Sequence, residues 1–354
     1  MAFSEKNRNG TLNGILFVAI FAAAATMIAN IKFVSSLGIS PLVVGIVIGI
    51  FYANTLHNKI PKAWESGITF SGKKILRFAI VFYGFRITFQ QIAEVGIDGF
   101  LVSLLMLSST FILGTYLGHT IFKMDKDTSM LTAAGASVCG AAAVLATEPV
   151  LKAEEHKTAI AVSMVVLFGT IAMFLYPVMY TMVIEPATGF LHMTPQEFGI
   201  YVGGTIHEVA QVVAVPASIF GATPEMANSA VIVKMTRVIM IAPMLIILGI
   251  YLSYANRKSG TASSGVKLVI PWFAVYFIGM AGFNSLQIVP QNLVAYINEI
   301  DTFLLTMAMT ALGMGTRFAK FKGLGLAPLY TGGAMFLWLL VGGFIITKWV
   351  VATF

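Results

Sequence analysis

Charge is what this sequence has least of. Among 354 residues only 10% are Asp, Glu, Lys or Arg while 58% are apolar, and the mean hydropathy is +0.87. Soluble globular domains carry roughly a quarter charged residues, so an ordinary water-soluble enzyme is excluded. Cysteine is nearly missing too: Cys139 stands alone, which rules out an internal disulfide. No Gly-x4-Gly-Lys-Ser/Thr loop is present, so ATP-driven pumping would require a partner. Long polar or low-complexity tracts are also lacking, leaving no segment for a separate soluble domain. The formal charge is +7. In a membrane chain this surplus marks cytoplasmic loops, and no nucleic-acid partner is expected.

What is present is a succession of apolar runs. A helix needs roughly twenty apolar residues to cross about 30 Å of hydrocarbon. Eleven stretches qualify or nearly do: 14–35, 40–56, 75–92, 99–122, 128–150, 158–183, 196–220, 226–253, 268–286, 301–318 and 327–350. The sequence therefore predicts an all-α polytopic membrane protein of about 9–11 transmembrane helices, with 1–354 as one integral membrane domain. Residues 14–35 follow Lys6 and Arg8 and hold the small run Ala22–Ala25, as a signal peptide would, but an uncleaved first span is the simpler reading.

If the passes alternate, Lys6 and Arg8, then Lys59, Lys62, Lys73 and Lys74, then Arg257, Lys258 and Lys267, then Lys320 and Lys322 all fall on one side. The acidic connections with Glu94 and Asp98, and with Glu299 and Asp301, face them. The positive-inside rule then sets the N-terminus in the cytoplasm and the C-terminus outside.

The chain matches itself at an offset near 230. Pro41, Ile48, Gly49, Asn54 and Leu56 correspond to Pro271, Ile278, Gly279, Asn284 and Leu286; one residue of slip then aligns Ala79, Gly84 and Phe89 with Ala308, Gly313 and Phe318. An odd number of passes separates the copies, which makes them an inverted repeat of the kind found in secondary transporters. The repeat-like halves are about 40–183 and 196–350, with 14–35 as an extra N-terminal helix. A second likeness joins Gly135–Ala146 with Gly204–Val215. If both segments span, these copies are parallel and conflict with the first pair; if 128–150 and 196–220 are re-entrant, the conflict vanishes. Eleven passes, and nine passes plus two hairpins, both remain open at this level.

Three constellations could carry chemistry. The run Gly135-Ala136-Ser137-Val138-Cys139-Gly140-Ala141-Ala142-Ala143 either permits close helix packing or breaks a helix and exposes N–H groups to an anion. Gly203-Gly204-Thr205-Ile206-His207-Glu208-Val209-Ala210-Gln211 places polar side chains at membrane depth, where they face a cavity or a partner. Lys234 and Arg237, at i and i+3, share a helix face. Two cations exceed what Glu208 alone neutralises, and a buried positive surplus attracts anions. A zinc site of the His-Glu-x-x-His type fails because the fourth position beyond His207 is Gln211; no metal and no cofactor are expected. Arg317 borders a basic loop and reads as an orientation signal, whereas Arg86 lies deeper and has no evident partner in the sequence. Asn54 and Asn284, the latter followed by Ser285, are the symmetric polar positions of the repeat.

Taken together the run Gly135–Ala143, the Gly-Gly-Thr-Ile-His-Glu-Val-Ala-Gln stretch, Val-Lys-Met-Thr-Arg at 233–237, and Pro271-Trp272-Phe273 followed by Asn284-Ser285 resemble the YeiH family of bacterial inner-membrane proteins, described as sulfate exporters. More distantly, Phe82-Tyr83-Gly84-Phe85-Arg86 and the run from Gly135 resemble the bile acid sodium symporter and sodium/proton antiporter superfamily, whose members cross two broken helices at the midplane. Such members place carboxylates, Asn or Gln near the crossing; this chain offers Glu208 and Gln211 there but no Asp pair.

The expected function is a secondary transporter, not an enzyme, that moves a small oxyanion across the inner membrane by alternating access. The resemblance implies sulfate or a related sulfur oxyanion, in the direction of export. Gly135, Ser137, Cys139, Gly140, Gly204, His207, Gln211, Lys234 and Arg237 are the expected substrate-binding residues, with Glu208 and His207 as proton-coupling groups. The partners expected are a small anion and the lipid bilayer, and assembly into a homo-oligomer stays open. The rivals are an intramembrane enzyme using His207 and Glu208, and a channel or receptor.

Overall fold

The computed structural model describes residues 7–36, 40–56, 60–258, 271–321 and 325–354. Helix accounts for every long element among the described residues, and none is a strand. That follows from the apolar runs, since backbone polar groups in lipid must be satisfied within the segment. The longer helices are α1 (Arg8–Ala29), α2 (Pro41–Thr55), α3 (65–83, with a π-turn at Ser71–Ile75), α4 (Phe89–Ile121), α5 (Lys126–Ser137), α6 (Ala141–Leu151) and α7 (Glu155–Ile184). They continue as α8 (Pro195–Thr205), α9 (Val209–Ala217), α10 (Pro224–Ile239), α11 (Ile241–Lys258), α12 (Trp272–Ser285), α13 (Gln291–Gly315) and α14 (Leu326–Thr353).

Two helices start ten residues before the apolar run that signalled them, at 65 against 75 and at 291 against 301. Lys73 and Lys74 therefore lie inside α3, where they are exposed, rather than in a connection. Asp301 is likewise inside α13 and buried, not in an external loop. Lys6, Lys59, Lys267, Lys322 and the first three residues of the 268–286 run lie outside the described residues.

The helices pack into two compact units: Met1–Ala93 with Val213–Thr223 and Phe273–Lys322, and Glu94–Val212 with Pro224–Trp272 and Gly323–Phe354. The first unit has a core of Val18, Ala22, Tyr52, Ile68, Met307, Ala311 and Met314. Its connections carry the symmetry of the 230-residue repeat. Asn54 Nδ2 donates to Thr316 O at 3.0 Å, and Asn284 Nδ2 donates to Ile87 O at 3.1 Å. Phe318 N–H donates to Asn54 Oδ1 at 2.8 Å, and its counterpart Phe89 N–H donates to Ser285 Oγ at 2.7 Å. Each repeat thus caps the chain break of the other, as a twofold relation requires. Both Asn side chains are thus used in hydrogen bonds to the backbone of another segment.

In the second unit the segment 128–150 turns back as a hairpin, and the part of 196–220 that belongs to this unit, up to Val212, is interrupted at its own tip. Lys157 Nζ at the start of α7 lies 2.9 Å from Asp127 Oδ2 and 3.2 Å from Asp125 Oδ1 at the start of α5. Had α5 and α6 run on through the membrane, these ends would be about 35 Å apart at 1.5 Å per residue. α6 instead returns beside α5, with Leu131, Val144, Ala161 and Val165 packed together. The second hairpin shows itself through α10. Gly199 packs on Met226 and Ala230, and Gly203 on Ala230 and Val233, so α8 and α10 run parallel and the chain between them has come back. Glycine is required at both positions because a Cβ would strike the backbone oxygens of Met226 and Ala230. Five helices among the described residues are long and apolar enough to cross a membrane, and 128–150 is not one of them.

The hairpins enter from opposite ends of α7. α5 begins beside the start of α7, whereas α8 runs antiparallel to its far end, with Tyr180 against Phe198 at 4.4 Å between ring centroids and Tyr176 stacked on Tyr201 at 5.0 Å. The two segments of the second likeness thus approach α7 in opposite senses.

Candidate functional site

Both hairpin tips are helix interruptions made by small and polar residues. α5 ends at Ser137, and Gly140 at φ 75 reverses the chain into α6. This backbone region is open to glycine alone at little cost, and a Cβ there would run into Glu208 Cγ. α8 ends at Thr205, and α9 starts at Val209 with Glu208 in its N-cap position.

An α-helix leaves its last carbonyls without internal partners, and buried carbonyls must be paired. In α5, Ala134 O accepts from Val138 N–H and Gly135 O from Gly140 N–H. The next three are taken by α10. Arg237 Nε donates to Ser137 O at 3.1 Å and Nη2 to Ala136 O at 3.1 Å, with a second, short bond from Nη2 to Ser137 O. Lys234 Nζ donates to Val138 O at 2.7 Å. The same two side chains reach the tip of α8, where Arg237 Nη1 donates to Gly204 O and Lys234 Nζ to Ile206 O at 2.7 Å and His207 O at 2.6 Å. Lys234 and Arg237 are both 0% exposed.

These bonds revise two expectations. Gly135 and Gly204 sit at C-terminal helix ends, which offer carbonyls, so the N–H donors expected there come from the starts of α6 and α9. The donors of Lys234 are all spent on backbone carbonyls, and four bonds from Arg237 are spent likewise. The cations act by charge across the tip, not by an open ammonium.

The opposite helix ends meet around an acid. Glu208 stands just before α9, and its Oε1 accepts from Ala141 N–H at the start of α6, a long bond of 3.5 Å. Gln211 Oε1 accepts from Glu208 N–H at 3.1 Å, half of a capping box. The Gln211 amide oxygen is thus a helix cap, while its Nε2 and the Nδ1 of His207 are buried with no protein partner. Ser137 Oγ bonds back to Ala134 O at 3.2 Å. Buried Cys139 lies within electrostatic reach of Lys234, Glu208 and Arg237. Tyr176 from α7 donates to Thr205 Oγ1 at 3.0 Å, a contact the sequence reading missed.

Thus Gly135, Ser137, Cys139, Gly140, Gly204, His207, Glu208, Gln211, Lys234 and Arg237 gather at one place in the second unit. Asn54, Asn284 and Ser285 belong to the first unit. Arg86 is also there, paired with Asp301 at 3.4 Å. A lone Asp in an apolar run and a lone Arg in its repeat partner were the signal that could have joined them. Among the described residues no group of three or more His, Cys, Asp or Glu could hold a metal.

Helical hairpins that meet tip to tip, joined to long apolar helices, define a polytopic all-α membrane protein with two interrupted helices. The chain belongs to the family of Conserved hypothetical protein 698, whose pattern matches residues 13–332. A UPF0324 membrane protein of Pseudomonas putida is 47% identical over 338 residues, covering 96% of this chain and 93% of its own. A UPF0324 membrane protein of Bacteroides thetaiotaomicron is 44% identical, covering 96% and 98%. The UPF0324 inner membrane protein YeiH of Escherichia coli K12 is 46% identical over 332 residues, covering 93% and 91%. These names bear out the family resemblance seen in the motifs.

Proposed function

We propose that this chain is a secondary transporter, not an enzyme, that moves a small oxyanion through the inner membrane by alternating access. The observation that carries this reading is the pair of fully buried cations at the meeting of two broken helices. Each helix end bears about half an elementary charge. The two C-terminal ends contribute about −1 against +2 from Lys234 and Arg237; the two N-terminal ends contribute about +1 against −1 from Glu208. The balance is about +1, with both cations fully buried, which favours a negatively charged guest.

Glu208 already occupies the anion position, with its carboxylate at the N-terminus of α6. An incoming anion would take that position as Glu208 accepts a proton and moves away, which links anion to proton. The unpaired Gln211 Nε2 and His207 Nδ1 are then available to its oxygens. The geometry supports the class of oxyanion; sulfate and the export direction rest on the resemblance to the YeiH family, as does the inner membrane on the printed name of the Escherichia coli relative. The Lys and Arg pattern supports a cytoplasmic N-terminus and an external C-terminus.

The test is counterflow in proteoliposomes with a panel of sulfate, thiosulfate, a sulfonate and a carboxylate. Saturable exchange of at least one is expected, and Glu208→Gln retains exchange but loses its pH dependence. Absence of exchange with every anion, in protein shown to be folded by its melting, refutes the reading. Turnover of a soluble substrate in detergent, without vesicles, would favour the enzyme that His207 and Glu208 could make.

A further inference from the structure

A second buried acid lies in the first unit, away from the residues used so far. Asp301 sits ten residues into α13 and its side chain is 0% exposed. Its one ionic contact is loose: Arg86 Nη2 stands 3.4 Å from Oδ2, while the same nitrogen makes closer bonds to Asn298 O at 2.6 Å and Thr302 Oγ1 at 2.7 Å. Charge-assisted pairs of this kind normally close to about 2.7–2.9 Å. The two shorter of these three bonds go to neutral oxygens.

The other oxygen of the carboxyl group is more telling. Asp301 Oδ1 is buried with no hydrogen-bond partner, and so is Asn298 Oδ1, three residues earlier on the same helix face. Two buried acceptors without a donor are costly. An ionised carboxylate can only accept, whereas a protonated one also donates, so a proton on Asp301 gives its buried oxygen a bond to offer. Arg86 keeps its two closer bonds in either state. Its side chain is 28% exposed, which gives the proton a way in and out.

The charged groups on helices packed against α13 are few. α1 carries Arg8, α2 none, and α3 carries Glu65, Lys73, Lys74 and Arg77. Among the described residues only Arg86 forms an ion pair with Asp301, and Tyr83 faces the pair with its ring centroid 5.1 Å from the guanidinium. Glu65 pairs with Arg317 instead.

We propose that Asp301 is a reversible proton-binding site, held in place by Arg86 and separate from Glu208. A transporter built this way carries a titrating acid in each unit, and the second is independent of whether the first binds an anion. The step is the addition of one proton to a carboxylate oxygen from solvent, with the Arg86 ion pair given up in exchange.

Infrared difference spectra of the full-length protein in lipid, titrated from about pH 5 to about pH 9, read this directly and need no substrate. A protonated-carboxyl band that fades as pH rises is expected, lost in Asp301→Asn but kept in Glu208→Gln and in Glu299→Gln, the latter an exposed neighbour. Arg86→Gln should move the fading upward by about one to three pH units, the effect of removing a nearby opposite charge, and carries the test if Asp301→Asn fails to fold. A spectrum identical in wild type and Asp301→Asn, or a band unmoved by Arg86→Gln, makes the pair a permanent structural ion pair and overturns the proposal.

Discussion

Replacing Lys234 with Met keeps the length and apolar stem of the side chain but removes the ammonium that ties the hairpins together. Three carbonyls lose their donor: Val138 on the first hairpin, Ile206 and His207 on the second. At about 1–3 kcal/mol for each buried unsatisfied group, the gross cost is about 3–9 kcal/mol. Burying an ammonium itself costs several kcal/mol, and the substitution recovers that part. A net loss of about 3 kcal/mol is expected, or roughly a hundredfold in a local opening equilibrium. The chain supplies its own reporter, because its single cysteine, Cys139, lies buried at the first tip beside Val138. Maleimide labelling of Cys139 in detergent should speed up by about a hundredfold in Lys234→Met, the signature of local opening. The detergent melt should fall by several degrees, whereas Lys152→Met, remote from the tip, should change neither. Unchanged labelling in folded Lys234→Met would refute the view that the ammonium clasps the two tips.

Gly140→Ala should destabilise by about 1–3 kcal/mol from its backbone conformation alone, and more once its methyl meets Glu208; a detergent melt no lower than that of wild type would contradict the tip geometry. Asn54→Ala and Asn284→Ala should each cost about 1–3 kcal/mol and lower the melting temperature by similar amounts, since each caps the break of the opposite repeat; a large effect from one and none from the other would argue against the twofold. In a Cys139→Ser background, cysteines at 123 and 153 should label from one side of the membrane and one at 188 from the other; labelling of 123 and 153 from opposite sides would restore a through-span for 128–150. Partial burial would raise the pKa of Asp125, yet bonds from Thr128 and Lys157 hold its carboxyl below the usual carboxylate range. Its contribution is therefore complete above the unfolded value of about 3.9 and fades as pH falls through the lower folded value. Hydrogen exchange at the start of α5 should accelerate only in that acid window and should be insensitive to pH from 6 to 8.

The sequence made the solvent of this protein legible, because a shortage of charge over long apolar runs has no stable arrangement in water. It also made the polar breaks legible: Gly140, His207, Glu208, Lys234 and Arg237 stand out where every neighbour is apolar, and a polar residue at membrane depth needs a reason. Helix starts were less legible. The first ten residues of α3 and α13 are mixed in polarity, and burial of Gly67, Ser71 and Asp301 against other helices is invisible in a hydropathy window.

What the chain order by itself determined is the membrane class and which ten residues carry unusual cost. What the tertiary structure alone decided is the sign of each contact at the tips. Charge counting could say that two cations outnumber one acid, but only the meeting of carbonyl ends with carbonyl ends, and of N–H ends with N–H ends, assigns the cations to the former and Glu208 to the latter. Which end of a broken helix faces a neighbour depends on the direction in which the chain returns. That direction is set by distant pairs such as Asp127 with Lys157 and Gly203 with Ala230, and no local pattern encodes it.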